Sequence, residues 1–167
     1  MSTTYPLLDS EKITYGGIFS LKELYEHLWS YFGWHKYDLE EKKYKEKAKP
    51  TGKEMEIIWN ATKDVDEYSK IAIKVEWIII GLTDVEVTKD DAKVKMNKGE
   101  VEIKVSADLV TDKQDQWEVS PHFRFMKGFY EKYLYKGTID HLKNQTWKEG
   151  WDLFNEIKAF LNLYKYS

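Results

Sequence analysis

Residues 70–80, KIAIKVEWIII, contain the clearest structural signal in this chain. Bulky apolar side chains stand at every second position from Ile71 to Ile79, and small or polar ones stand between them as far as Glu76. Because successive side chains of a β-strand point to opposite faces of a sheet, this period of two predicts a strand with one buried face. Similar alternation over 55–61 and 101–109 predicts two more such strands.

Short turns separate these strands. Pro50 and Gly52 form one turn, and further turn-forming residues occur at 64–67, 90–91 and 97–99. Consecutive strands that are joined by tight turns must run antiparallel. With an edge strand predicted in the lysine-rich residues that follow the first helix, the sequence predicts an antiparallel meander of about five strands over 34–112.

A helix is predicted before this sheet, over 20–33. Ser20 followed by Glu23 forms a capping box, the usual start of a helix. Apolar residues then recur at helical spacing as far as Phe32. Gly33 is the expected left-handed residue at the end of this helix.

A helical layer is predicted after the sheet, over 120–163. Pro121 after a serine is a favoured first residue of a helix. Gly137 is expected to end this helix. Thr146 and Glu149 form a second capping box, which predicts the start of a C-terminal helix.

These elements predict one α+β domain over 1–167, of a length typical of single domains. The fold expected is two-layered, with the antiparallel sheet covered on one face by three helices, one N-terminal and two C-terminal. Pro6 and the Gly16-Gly17 pair break any regular pattern before the first helix. Residues 1–19 are therefore predicted to form an irregular N-terminal arm.

Composition excludes several classes of function. The chain has no cysteine, which excludes a disulfide scaffold, a cysteine zinc site and a cysteine nucleophile. The four histidines show no metal-binding spacing, so neither a metal nor another cofactor is expected. No catalytic motif is visible, which favours a non-enzymatic protein. A net charge of −3 argues against nucleic acid as a partner. No apolar run spans a membrane and no signal peptide is visible, so a cytoplasmic location is expected.

Five residues around the only arginine are the candidate binding residues: Trp117, His122, Arg124, Phe125 and Tyr130. Arginine recognises carboxylates and phosphates in a planar, bidentate way that lysine does not. The remaining basic residues are all lysines, so a single arginine at a helix start suggests an anion contact. Alternatively, Arg124 pairs with a carboxylate from the sheet or stacks on an aromatic ring.

Charge is uneven along the chain. Residues 54–119 carry a net charge of −7, whereas 36–53 and 120–167 each carry +3. Together with the surplus of aromatic residues in the helical layer, this pattern favours a binding or assembly module, with another protein or a second copy as partner.

The alternative function is a small-molecule carrier or enzyme, with an apolar pocket between the sheet and the helices. The residues expected to line such a pocket are Trp59, Trp77, Arg124 and Tyr130.

Several segments of the chain resemble small archaeal α+β proteins without an assigned activity. They are LKELY at 21–25, the strands around Trp59 and Trp77, FYEKYL at 129–134 and EIKAFL at 156–161. The likeness extends over residues 20–163 and contains no catalytic motif. It implies an archaeal, heat-adapted origin.

Overall fold

The structure is a computed structural model that describes residues 3–112 and 121–165, with the backbone alone for 121–124 and 165. The elements follow one another in the order β1 (Thr3–Phe19), α1 (Leu21–Trp34), β2 (Asp38–Lys49), β3 (Gly52–Asp64), β4 (Ser69–Lys89), β5 (Ala92–Thr111), α2 (Pro121–Phe129), a π-helical turn (Tyr130–Leu134) and α3 (Lys136–Lys165).

The five strands form one antiparallel sheet in the order β1-β5-β4-β3-β2. The stretch at 70–80 lies in the central strand β4, where Trp77 faces Ile57 on β3 and Ile103 on β5. The predicted antiparallel sheet of about five strands is confirmed. Only four of these strands, β2–β5, lie within 34–112, where each pairs with the next one in the chain. The turn predicted at 97–99 does not form, because β5 continues through these residues.

The prediction of an irregular arm over 1–19 is wrong. Residues Thr3–Phe19 form β1, which pairs with β5 along its whole length. Register shifts on either side of Leu8 interrupt the alternation of side chains, so the period of two is hidden in the sequence. Pro6 is tolerated because β1 is an edge strand, where one row of backbone N–H groups needs no partner strand.

The helices α1 and α3 cover the same face of the sheet, and this confirms the two-layer α+β fold. Their inward side chains form one buried cluster with apolar residues of β1, β3, β4 and β5. The helical members of this cluster are Leu24, Leu28, Phe32, Leu153, Ile157 and Leu161. Gly150 allows the close approach of α3, because an added Cβ there would lie 2.9 Å from Cβ of Ala107.

The basic segment 36–53 and the acidic residues that follow it belong to the same sheet. Lys43 of β2 pairs with Glu56 of β3 at 3.0 Å, and Lys49 pairs with Glu54 at 2.8 Å. Charge that is separated along the sequence is therefore intermixed in space. Exposed pairs of this kind add little stability, but they remove the single-sign surface that segment charges suggest.

Of the two predicted capping boxes, the first is present only as its N-cap bond and the second does not form. The backbone N–H of Glu23 donates to Oγ of Ser20 at 3.2 Å, at the start of α1. By contrast, Thr146 lies inside α3, and its hydroxyl donates to the carbonyl of Leu142 at 2.7 Å. The hydroxyl of Thr146 is thus engaged with the preceding turn and is buried, so it starts no helix.

The helix α1 ends in a Schellman motif, but its left-handed residue is not Gly33 as predicted. The N–H of Tyr37 donates to the carbonyl of Phe32 at 2.9 Å, and the N–H of Lys36 donates to that of Gly33 at 3.2 Å. The left-handed residue is Lys36, with φ of 65°. The rings of Phe32 and Tyr37 lie 5.6 Å apart and form the apolar contact that often accompanies this motif.

Candidate functional site

The predicted binding residues are only partly within the described structure. Trp117 lies outside the described residues, and the side chains of His122 and Arg124 also lie outside them. Phe125 is 72% exposed on α2. Tyr130 is half-buried, and its ring packs on Tyr135 at 5.5 Å. The two members of the set whose side chains are described therefore face different surroundings.

An exposed apolar surface runs along α2 and the π turn, and we call it the α2 apolar face. Its members are Phe125, Met126, Phe129, Tyr133 and Leu134, all of them exposed. Within it, the rings of Phe129 and Tyr133 lie 4.9 Å apart. In the described part of the helical layer, much of the aromatic surplus is thus on the surface rather than in the core.

A single carboxylate fastens the π turn to the sheet. Glu131 accepts hydrogen bonds from the hydroxyls of Tyr68 at 2.7 Å, Thr111 at 2.9 Å and Tyr5 at 3.4 Å. Burial and the hydrogen bond to Glu131 raise the pKa of Tyr68 above its ordinary value, so its hydroxyl stays a donor. Glu131 therefore joins the π turn to β1, β5 and the β3–β4 loop.

Glu131→Gln is expected to lower the free energy of unfolding by about 1–2 kcal/mol, because an amide accepts with one oxygen and loses the charge-assisted bonds. Urea denaturation measures this loss. The control is Asp140→Asn, which removes an exposed carboxylate and should change stability by less than about 0.5 kcal/mol. Equal effects of the two substitutions would contradict the role of Glu131.

A groove lies between the first turns of α1 and the sheet, and we call it the α1 groove. Its volume is about 810 Å³. Met55, Ile57 and Leu82 form a buried apolar floor. Tyr25 of α1 and Tyr44 of β2 form parts of the walls. The groove therefore opens on the helix-covered side of the sheet, beyond the start of α1.

The groove exists because two backbone irregularities meet at this end of the sheet. The register of β4 and β5 shifts between Ile80 and Thr83. Strict alternation would direct Leu82 to the same open face as Ile80, but the bulge returns Leu82 to the helix side, where it is buried. Gly81 has φ of 66° at this bulge, and Gly52 of β3 has φ of 128° beside it.

Several polar groups at the rim of the groove are engaged with one another. Lys53 pairs with Glu46 at 2.9 Å, and this bond raises the pKa of Lys53. The amide of Asn97 donates to Asp84 at 3.1 Å, while its oxygen accepts from the backbone N–H of Leu21 at 3.0 Å. Lys22 and Glu26 of α1 are exposed at the same opening, so the rim carries charges of both signs.

Tyr25 forms the boundary between the groove and the core. Its hydroxyl donates to Glu41, whose carboxylate also accepts from Nε1 of Trp59 at 2.9 Å. Burial and the bond to Glu41 raise the pKa of Tyr25, so the phenol stays neutral. Its ring lies 5.0 Å from Trp59 and 6.1 Å from Trp77. The core behind Tyr25 is therefore closed by aromatic packing.

The residues expected to line a pocket are not brought together as predicted. Trp59 and Trp77 are fully buried and pack on each other at 5.0 Å, outside the lining of the α1 groove. Tyr130 packs at a separate cluster with Leu109 and Tyr135. A pocket between helix and sheet is present, but with a different lining. The sequence feature that marks this pocket is Gly81, which interrupts an apolar strand and lies in the bulge.

Among the side chains that the structure describes, no three histidines or carboxylates converge as a metal site. None of the described helices is both long and apolar enough to cross a membrane.

Comparison with known proteins gave no relative. No protein-family model matches the chain, and neither a curated protein nor a solved structure matches it significantly. The archaeal resemblance therefore stays a prediction, and any function must be argued from the geometry of this chain.

Proposed function

We propose that the chain is a non-enzymatic binding protein that carries a small molecule in the α1 groove. The observation that supports this proposal is a cavity of about 810 Å³ with a buried apolar floor and an open mouth. Small-molecule sites are typically clefts of about 300–1,000 Å³ with mostly apolar walls and a few polar groups. The α1 groove has a volume in this range and an apolar floor, and its polar lining residues lie toward the rim.

Binding is favoured over catalysis because several polar groups around the groove are bonded to other groups of the protein. A general acid or base must be free to exchange a proton with a substrate. The hydroxyl of Tyr25 donates to Glu41, Lys53 pairs with Glu46, and Asp84 accepts from Asn97. These groups hold the walls in place, which suits a preformed binding cleft.

The proposal predicts that Leu82→Gln weakens binding of the neutral fluorescent probe N-phenyl-1-naphthylamine by about tenfold, because a polar amide enters the apolar floor. The matched control is Ile80→Gln. Ile80 is 50% exposed on the opposite face of the same strand, so this variant should bind the probe as the unaltered chain does. Fluorescence titration measures both, and circular dichroism checks that both variants fold. Absence of probe binding to the unaltered chain, or equal loss in both variants, would contradict the proposal.

A second candidate function is self-association through the α2 apolar face. Five neighbouring apolar side chains are exposed there, and clustered exposure of this kind marks interaction surfaces more often than scattered apolar residues do. The partner proposed is a second copy of the chain, since an aromatic helix face can pack against its own symmetry mate.

This candidate predicts a concentration-dependent dimer that the double substitution Phe129→Ser and Tyr133→Ser abolishes. Size-exclusion chromatography with light scattering measures the mass. Trp34→Ser is the control, because Trp34 is 69% exposed at the end of α1 and does not belong to the α2 apolar face. A monomer at all concentrations would refute self-association, as would a dimer that survives the double substitution.

A further inference from the structure

We propose that a cleft on the surface of α1 binds a small quaternary ammonium compound, and we call it the Trp29 cleft. Its volume is about 290 Å³, and it is lined by Tyr25, Glu26, Trp29 and Ser30. The cleft lies beside the α1 groove, which shares Tyr25 and Glu26 with it. The proposal goes beyond the carrier function of the α1 groove, because it assigns a cationic ligand to a second site.

The spacing of the four residues along α1 gives the cleft an aromatic side and a polar side. Tyr25 and Trp29 are four residues apart, as are Glu26 and Ser30, and residues at this spacing are neighbours on a helix surface. The rings of Tyr25 and Trp29 lie 6.1 Å apart with an angle of 14° between their planes. Trp29 is 44% exposed, so part of its ring is open to a ligand. The face of such a ring carries negative potential and attracts a cation that comes within about 6 Å of its centre.

Both rings are held in place by the core beneath them. The ring of Trp29 packs on Trp59 at 5.6 Å, with an angle of 84° between their planes. The ring of Tyr25 packs on Trp59 at 5.0 Å, and its hydroxyl donates to Glu41. Trp59 itself is fully buried. The aromatic side is therefore formed before a ligand arrives, which lowers the cost of ordering side chains on binding.

The charge in the lining of the cleft is a carboxylate. Glu26 is exposed, and no side-chain hydrogen bond or ion pair links it to another of the described residues. Lys22 lies one turn earlier on α1, where it lines the α1 groove but not the Trp29 cleft. A carboxylate without a protein partner beside two aromatic rings favours a cation over an anion or a neutral molecule.

The small number of acceptors in the cleft distinguishes between kinds of ammonium ion. A primary ammonium has three N–H donors and is strongly hydrated. The side chains of the lining offer it the carboxylate of Glu26 and the hydroxyls of Tyr25 and Ser30, and the hydroxyl of Tyr25 already donates to Glu41. A quaternary ammonium has no N–H donor to satisfy, and its methyl groups can pack on the rings while its charge stays near Glu26. The cleft therefore suits a quaternary ammonium group.

The experiment compares choline with 3,3-dimethylbutanol, which has the same shape but a carbon atom in place of the charged nitrogen. Each compound is titrated into the isotope-labelled full chain at constant ionic strength, and NMR follows the backbone amide of Ser30, which lines the cleft. We expect choline to bind about threefold more tightly than 3,3-dimethylbutanol, which is the size of a cation–π attraction at a partly exposed site. Ethanolamine, the primary ammonium with the same hydroxyl, should bind more weakly than choline.

Trp29→Leu should weaken the binding of choline by about fivefold, because it removes an aromatic face and keeps an apolar side chain. Trp34→Leu is the matched control. Trp34 is 69% exposed at the end of the same helix and does not line the cleft, so this variant should bind choline as the unaltered chain does. Circular dichroism checks that both variants fold.

Glu26→Gln tests the charge without altering the rings. It should weaken the binding of choline by about twofold and leave that of 3,3-dimethylbutanol unchanged, because attraction between exposed charges is modest. The control is Glu67→Gln, which removes an exposed carboxylate of the β3–β4 loop and should leave both affinities unchanged. Leu82→Gln alters the floor of the α1 groove and should not affect the binding of choline, since Leu82 does not line the Trp29 cleft.

Three results would overturn the proposal. Absence of a shift at Ser30 with choline would show that the cleft is not a binding site. Equal affinities for choline and 3,3-dimethylbutanol would show that it does not recognise a cation. Equal losses in Trp29→Leu and Leu82→Gln would place choline in the α1 groove. None of these results would affect the carrier function proposed for the α1 groove, which the fluorescent probe tests separately.

Discussion

Trp59→Ala is expected to lower the free energy of unfolding by about 4 kcal/mol, which is within the range for deleting a buried aromatic side chain. Trp59 is fully buried at the centre of an aromatic cluster. Its ring contacts those of Tyr25 at 5.0 Å, Trp77 at 5.0 Å and Trp29 at 5.6 Å. The substitution removes these contacts and leaves a cavity that the rigid sheet cannot close.

Trp59→Phe separates packing from hydrogen bonding in this cluster. Phenylalanine keeps much of the apolar volume but cannot donate to Glu41, as Nε1 of Trp59 does at 2.9 Å. We expect a loss of about 1–2 kcal/mol, because Glu41 keeps the bond from Tyr25.

Urea denaturation measures both losses, and Trp34→Ala is the control. Trp34 is 69% exposed at the end of α1, so its removal should cost less than about 0.5 kcal/mol. A loss below about 1 kcal/mol for Trp59→Ala would show that the cluster does not form as described.

Gly52→Ala is expected to lower the free energy of unfolding by about 3 kcal/mol, from backbone strain and overpacking together. Gly52 has φ of 128°, a conformation that residues with a Cβ rarely adopt. An added Cβ would also lie 2.6 Å from the carbonyl carbon of Gly81. Neither backbone can yield easily, because both belong to paired strands of the sheet.

The control for this substitution is Gly33→Ala. Gly33 lies inside α1, and an added Cβ there would meet nothing within 4 Å. Alanine should therefore stabilise α1 by about 0.5–1 kcal/mol, since glycine is a poor helix former. Thermal and urea denaturation test the opposite signs of the two substitutions. The same loss in both would show that the cost is a general effect of replacing glycine and not the clash at Gly81.

The parts of the fold that were predicted correctly are those with a local signal. The alternation from Ile71 to Ile79 identified a strand with one buried face, and the whole stretch lies in the centre of the sheet. Ser20 was identified as a helix start because an N-cap needs only residues of the same turn. Both patterns act over a few residues, so they can be read before any long-range contact is known.

The errors arise where distant residues decide the structure. Thr3 pairs with Thr111, and this pairing makes a strand of residues whose own pattern suggests an irregular arm. Thr146 follows the pattern of a helix start, but in the folded chain its buried hydroxyl bonds Leu142. In both cases tertiary contacts override a local preference.

The candidate site shows the same division. The sequence indicated a pocket between helix and sheet, but the α1 groove depends on Gly52 of β3 meeting Gly81 of β4 and on the bulge that turns Leu82 inward. Likewise, Glu131 looks like any surface carboxylate until β1, β5 and the β3–β4 loop bring three hydroxyls to it. No sequence pattern within one segment encodes contacts between residues so far apart in the chain.

The antiparallel meander, the first helix and the burial of Trp59 and Trp77 follow from local patterns, because side-chain period, turn residues and N-caps act over a few residues. Long-range contacts are needed to see that residues 3–19 complete the sheet, that lysines of β2 lie beside glutamates of β3, and where a cavity opens. These features depend on strand register and on the close approach of two glycines, which are properties of paired backbones and not of any single segment.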